Sequence, residues 1–309
     1  MGVTQAVPSE ASATVVISAN AFWNISNFRA GLIDGLIGHG WTLVVAAPDI
    51  DQSWIARRTL IPAEIRVDRS GLNPLRDVGL LAAYVRLIRK HRPKYFLGFT
   101  AKPNIYGSLA AGICGTASIP NVSGLGTAFI APGPLSTLVG GLYRLAFARC
   151  PIVFFQNEDD RDLFVRRKIV RQDRARLLPG SGIDLDRFHP TQPNDAEGNR
   201  FLFIGRLLGD KGIREFVEAA RLLRPDYPDW RFQLLGPIDE GNRTGIRTGE
   251  LDQWVRSGCV EYLGRADDVR PYIAAATAVV LPSYREGLPR SLLEAAAMGR
   301  PLVATDGPG

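Results

Sequence analysis

Residues 281–306 constrain this chain most, reading LPSYREGLPRSLLEAAAMGRPLVATD after the apolar run Ala-Val-Val-Leu at 278–281. A run that short and apolar predicts a buried strand. Pro282, Ser283 and Gly287 then make a loop, and Pro289 marks a helix start, where a missing N–H costs nothing. The strand therefore delivers its carboxyl end to the amino end of a helix. In an open α/β sheet that junction is where ligands settle, and the free backbone N–H groups favour anionic or hydroxyl-rich ones. Glu286 lies in the loop and Glu294 about one and a half turns into the helix. One carboxylate is placed beside the mouth and the other behind it. The ordinary alternative is an acidic residue answering the helix dipole.

Glu286 and Glu294 enclose seven residues within E-G-L-P-x-x-L-L-E-A-x-A-x-G-x-P. This string resembles the E-x7-E signature of retaining GT-B glycosyltransferases of family 4, also called group 1. Upstream, residues 200–213 read RFLFIGRLLGDKGI, a strand, a glycine loop and a helix from about residue 212. Arg206 and Lys211 flank that loop, so a diphosphate placed there meets two cations and a helix N-terminus. An exposed basic loop is the plain alternative. The string resembles the family's donor-diphosphate motif G-R-x-x-x-x-K-G. The resemblance implies that Gly205, Arg206, Lys211, Gly264, Arg265, Glu286, Gly287, Leu288 and Glu294 bind a nucleotide diphosphate sugar. It places Glu294 on the ribose and Glu286, Gly287 and Leu288 on the donor sugar, with Glu286, Arg206 and Lys211 serving catalysis.

With 309 residues, 46% hydrophobic, the chain can bury two α/β cores. The expected division is an acceptor domain over 1–193 and a donor domain over 194–309. Cys114, Cys150 and Cys259 are widely spaced with no C-x-x-C, which argues against a disulfide framework or a zinc site. No stretch reaches the roughly 18 uninterrupted apolar residues of a membrane span, and residues 1–12 lack a basic region followed by an apolar core. The expectation is a cytosolic protein. Up to residue 193 there are 22 Lys and Arg against 14 Asp and Glu, a surplus of eight; beyond it 15 stand against 17. The basic runs at 86–94 and 166–174 suit an anionic membrane face. Solvated helix faces are the commoner explanation.

In chain order, 13–19 reads as strand, 20–27 as a polar loop, 28–37 as helix and 41–47 as strand, a βαβ unit. Its first turn lacks G-x-G-x-x-G, which weakens any NAD or FAD reading. His39 ends a helix and reads as a surface residue. A second unit follows, with helix 77–91, strand 95–99, a loop at 100–107 opening a small-residue helix, and a glycine-rich loop at 120–127. The strings F-T-x-K-P-N-x-Y-G and I-P-N-x-S-G-L-G resemble the branch of family 4 that acts on polyprenyl-diphosphate-linked sugars. That resemblance implies acceptor contacts from Lys102, Asn104, Ser123, Gly124 and Gly126, although loops that merely turn tightly would read the same. The family's histidine in this region has no counterpart at 121–127, so its role is unassigned. Residues 129–148 are apolar; such a stretch is ordinarily core and would otherwise rest in a bilayer interface.

Residues 177–190 contain P-G-S-G-I-D, similar to the segment that precedes the family's interdomain linker, expected here at 191–199. In the second half, 230–235 and 260–263 read as strands, 239–249 as a mobile glycine-, arginine- and threonine-rich loop, and 269–276 as helix. Family members continue past the loop at 305–309, so the second domain is expected to be incomplete.

The fold expectation is therefore α/β of the GT-B type, two Rossmann-like doubly wound domains facing a cleft. The activity implied is retaining transfer of a sugar, a hexose or N-acetylhexosamine, from a nucleotide diphosphate sugar (a UDP-sugar) to a lipid-linked or glycan acceptor. No metal and no cofactor are expected beyond the nucleotide sugar itself, since Arg206, Lys211 and a helix end can neutralise a leaving diphosphate. Peripheral contact with an anionic inner-membrane face is expected; nucleic acid is not. A nucleotide-sugar epimerase of the same fold and a non-catalytic binding remnant are the competing readings.

Overall fold

The structure, a computed structural model, describes residues 13–68, 73–125, 129, 133–192 and 199–307. It divides into two compact units, Met1–Pro179 and Gly180–Gly309.

In the first unit, β1 (Thr14–Ser18) pairs in parallel with β2 (Thr42–Ala47) on one side. Val16 and Ile17 have no exposed surface, as expected of a strand covered on both faces. The segment expected as a polar loop is instead a helix, α1 (Phe22–Phe28), which bends at Arg29 into α2 (Ala30–Gly38). Phe22 and Ile25, one turn apart, are buried beneath the sheet, and that burial overrides the turn-forming asparagines. α3 (Gln52–Ala56) and β3 (Ile61–Glu64) follow, both unread in the sequence. α4 (Pro74–His91) begins where the Asn73 side chain accepts from the N–H groups of Leu75 and Arg76. β4 (Tyr95–Gly98) pairs with the other side of β1.

The segment expected as a loop at 100–107 is also helical. A wide turn over Pro103–Gly107 runs straight into α5 (Ser108–Cys114). Gly107 permits this, because a Cβ there would sit 2.2 Å from the Phe96 ring. β5 (Ala117–Ser118) completes a sheet of order β3-β2-β1-β4-β5. β6 (Asn121–Val122), α6 (Pro134–Phe147), β7 (Val153–Phe155), α7 (Glu158–Arg166) and β8 (Ala175–Leu177) add a sheet of order β6-β7-β8, joined to β4 by the Phe99–Asn121 bridge.

The second unit repeats the logic. β9 (Arg200–Ile204), α8 (Ile213–Leu223), β10 (Arg231–Leu235), α9 (Thr248–Arg256), β11 (Glu261–Tyr262), α10 (Arg270–Ala275), β12 (Ala278–Leu281), α11 (Arg290–Ala297) and β13 (Leu302–Ala304) make a parallel sheet ordered β11-β10-β9-β12-β13. The path leaves β9 toward β10 and β11, then returns across it to β12. The carboxyl ends of β9 and β12 thus flank the topological switch point.

The division falls before the boundary expected at 193. Phe188 is buried against Leu202, Leu235 and Val279, and Arg300 donates to the Thr191 carbonyl at 2.9 Å; residues 180–192 pack with the second core. Of the expected linker, 193–198 lie outside the described residues. Residues 239–249, expected to be mobile, fold onto the loop after β9. Ile246 is fully buried, and its N–H donates to the Leu207 carbonyl at 3.0 Å.

Candidate functional site

All five strand ends of the second sheet deliver their loops to one edge. Gly205 and Arg206 leave β9, and the Gly205 N–H donates to the Leu235 carbonyl at 3.0 Å. Gly236 follows β10 with φ 151, its ideal Cβ position only 1.8 Å from the Gly205 carbonyl oxygen. Only glycine allows the two loops to lie that close. Gly264, at φ 75, and Arg265 leave β11, with Arg265 exposed and 3.3 Å from Asp267. Between β9 and β12 the loops are laced together. The N–H of Tyr284 donates to the Asp210 carbonyl at 3.0 Å, and the Ser283 hydroxyl donates to the same oxygen at 3.2 Å.

That lacing brings Lys211 to Glu286. The Lys211 ammonium donates to Oε1 of Glu286, with side-chain exposures of 25% and 16%. The residues read from two separate motifs are thus in direct contact, each mostly shielded from water. Arg206 reaches outward, half exposed, and pairs with Asp239 at 3.1 Å. Gly287 is buried and Leu288 half-buried. α8 starts at Gly212, whose φ of 72 turns the chain from Lys211 into the helix.

Glu294 points from the first turns of α11 and accepts from Nε of Arg290 at 2.9 Å. Burial pushes its carboxyl up from the usual carboxylate range, against the pull of Arg290 and Arg187. A carboxylate in that state is held at a cost, which a hydroxyl donor can repay. Arg290 was not read as a site residue, although its i,i+4 spacing to Glu294 signals the pair. Asp239 could not have been found, because only the fold of 239–249 brings it to Arg206.

The residues expected on the acceptor lie in the first unit, where two of them are already engaged. Lys102 donates to Asp77 Oδ1 at 2.7 Å, the Tyr106 hydroxyl donates to Asp77 Oδ2 at 2.8 Å, and the Lys102 and Asp77 side chains are 14% and 12% exposed. Burial, then Asp77, pushes the Tyr106 phenol well above its ordinary value. Asn104 is buried and donates to the Asn121 carbonyl at 2.9 Å, tying the helical turn to β6. Ser123 and Gly124 are half-buried, Gly124 at φ 140; Gly126 lies outside the described residues. At the nearby ends of β1 and β4, Thr100 adopts φ 72, and its hydroxyl accepts from the Asn20 N–H at 3.1 Å. Arg29 stacks over Phe99 at 4.2 Å. The sequence reading assigned no role to any of these four residues.

Among the described residues, no three His, Cys, Asp or Glu side chains gather as metal ligands. No helix there is long and apolar enough to cross a membrane.

Residues 198–309 match the family model described as Glycosyl transferases group 1. The chain is 29% identical over 258 residues to the N,N'-diacetylbacillosaminyl-diphospho-undecaprenol alpha-1,3-N-acetylgalactosaminyltransferase of Campylobacter jejuni, covering 77% of this chain and 65% of that one. It is 25% identical over 247 residues to the UDP-Gal:alpha-D-GlcNAc-diphosphoundecaprenol alpha-1,3-galactosyltransferase of Escherichia coli, covering 75% of this chain and 62% of that one. It therefore spans somewhat under two thirds of the length of these relatives. Among solved structures, Anabaena HepE in complex with UDP and glucose superposes with a TM-score of 0.74 at 18% identity, over 96% of this chain and 81% of that one. The chain has the GT-B fold, and its residues 198–309 match the model of the group 1 glycosyl transferases.

Proposed function

We propose that this protein transfers a sugar from a nucleotide diphosphate sugar to a lipid-linked acceptor, with retention at the anomeric carbon. The observation that carries the reading is the meeting of Lys211 and Glu286 at the switch point of the second sheet. Relatives named for diphosphoundecaprenol acceptors support the lipid-linked substrate, and the HepE complex supports a UDP-sugar donor.

In this reading the diphosphate lies across the Gly205–Arg206 loop and the N-terminus of α8, where Lys211 and Arg206 balance the charge that grows on the leaving group. Glu294 accepts from the ribose hydroxyls. Glu286 and the Gly287 and Leu288 amides hold the sugar. No side chain is assigned as nucleophile. The acceptor hydroxyl bonds to the anomeric carbon on the face the leaving group departs from, the bond from that carbon to the diphosphate oxygen breaks, and the hydroxyl proton passes to the departing phosphate. Charge neutralisation by Arg206 and Lys211 makes a metal unnecessary in this scheme.

Labelled UDP-hexoses and UDP-N-acetylhexosamines incubated with a polyprenyl-diphosphate sugar test the assignment. The expected product is an elongated lipid-linked saccharide whose anomeric coupling constant matches that of the donor. An epimerised free donor, or binding without turnover, overturns it.

A further inference from the structure

The first unit carries a basic groove with no place in the donor site or in the acceptor loops. It measures about 420 Å³ and runs between the last turns of α6 and the turn after α7, with Arg144, Lys168, Arg171 and Arg174 around an apolar floor that includes Phe147 and Ile169. Two of these cations are tied by backbone carbonyls. Arg144 donates to the Arg167 carbonyl at 2.6 Å, and Arg174 to the carbonyls of Ala148 and Cys150 at 3.0 and 3.3 Å. A carbonyl fixes a guanidinium without cancelling its charge. Among the described residues Arg171 is the one of the four in an ion pair with a carboxylate, Asp173 at 2.7 Å. The groove therefore keeps a positive surplus.

α6 forms one wall, and its two sides differ. Tyr143, Ala146 and Phe147 face the core, while Leu138 and Leu145, two turns apart, are 59% and 64% exposed. Arg144 is next to Leu145 in sequence and lines the groove. The apolar helix α6 and the basic run at 166–174 thus meet in the fold. The helix is both core and surface.

We infer that this face docks the first unit on an anionic phospholipid surface, lipid phosphates entering the groove while Leu138 and Leu145 enter the interface. A soluble phosphate would account for the cations and leave the leucines unexplained; a nucleic acid would do the same. An amphipathic helix with cations at its border has the composition of an interfacial element. The inference rests on the proposed lipid-linked acceptor for its purpose, and on charge and exposure for its physics.

Sedimentation with vesicles is the test, using phosphatidylcholine alone and mixed with phosphatidylglycerol. The protein is expected to bind the mixed vesicles, to leave the neutral ones in solution, and to come off as salt rises. Leu138→Ser/Leu145→Ser and Lys168→Glu/Arg171→Glu are each expected to weaken vesicle binding by about tenfold or more, with UDP affinity and unfolding midpoint unchanged. Absence of binding by the wild type, wild-type binding by either variant, or displacement by inorganic phosphate at constant ionic strength overturns the assignment. Vesicle binding without sugar transfer counts against the proposed activity alone.

Discussion

Lys211 donates its hydrogen bond to the carboxylate of Glu286, so the cation assigned to the donor diphosphate and the carboxylate assigned to the donor sugar hold one another. A nucleotide entering this site has an internal anion to displace. Glu286→Gln should therefore tighten UDP binding by up to about fivefold, the worth of an ion pair of about 1 kcal/mol, while sugar transfer falls. Calorimetry with UDP decides it, and a loss of UDP affinity in this variant would sink the competition argument.

Removing the cations should act in the opposite direction. Lys211→Ala and Arg206→Ala are each expected to weaken UDP by about 1.5–3 kcal/mol, through the loss of a charge-assisted hydrogen bond. Arg206 is the more exposed of the two and already shares its charge with Asp239, so its effect should be the smaller. Unaltered affinity in both variants removes the diphosphate from this loop.

Both motif pairs in the second unit were legible because each is local: a strand end, a glycine turn and a helix start within a few residues. Their contact was not, since it depends on β9 and β12 becoming neighbours. The first unit was read less well for a related reason. α1 and the turn at Pro103–Gly107 have the composition of loops, and burial of Phe22 and Ile25 and the packing of Gly107 on Phe96 made them helical. Lys102 and Asn104 were read as acceptor contacts from a local motif, and the partner of Lys102 lies on α4, which no spacing reveals.

Glu294 carries a pH signature. Its carboxyl is raised in the folded chain, chiefly by burial, so the folded state binds a proton more tightly than the unfolded one and its stability falls as pH climbs through the interval between the two values. The cost is fully present at neutral pH and relieved below the ordinary carboxylate range. Glu294→Gln should accordingly leave the unfolding midpoint at pH 7 unchanged or higher, with the difference from wild type shrinking on acidification, and it should weaken UDP. Thermal melts across the carboxylate range check the sign; a variant gain that grows on acidification contradicts it.

The Lys102–Asp77 pair predicts a structural cost. Removing one member of a pair this shielded leaves the other charge without its partner, at about 3 kcal/mol. Lys102→Ala should lower stability by that order in urea titration, and Lys102→Met/Asp77→Asn should recover much of it. If the single variant keeps its stability and loses only turnover of a lipid-linked acceptor, Lys102 serves the acceptor directly.

Gly212 lies against the backbone of the loop after β12. It sits at φ 72 at the start of α8, and a Cβ there would fall 1.9 Å from the Pro282 carbonyl oxygen. Alanine at this position meets two penalties: about 1–2 kcal/mol for the left-handed backbone, and the displacement of the loop after β12. That loop carries Glu286, and the turn before Gly212 carries Lys211, so the displacement should pull apart the pair at the centre of the site. Gly212→Ala is expected to lower the unfolding midpoint and UDP affinity together. Gly241→Ala, whose Cβ would meet only an Asp239 oxygen at 3.9 Å, should leave both unchanged. UDP affinity surviving in Gly212→Ala would show that the loops after β9 and β12 need not touch for the donor to bind.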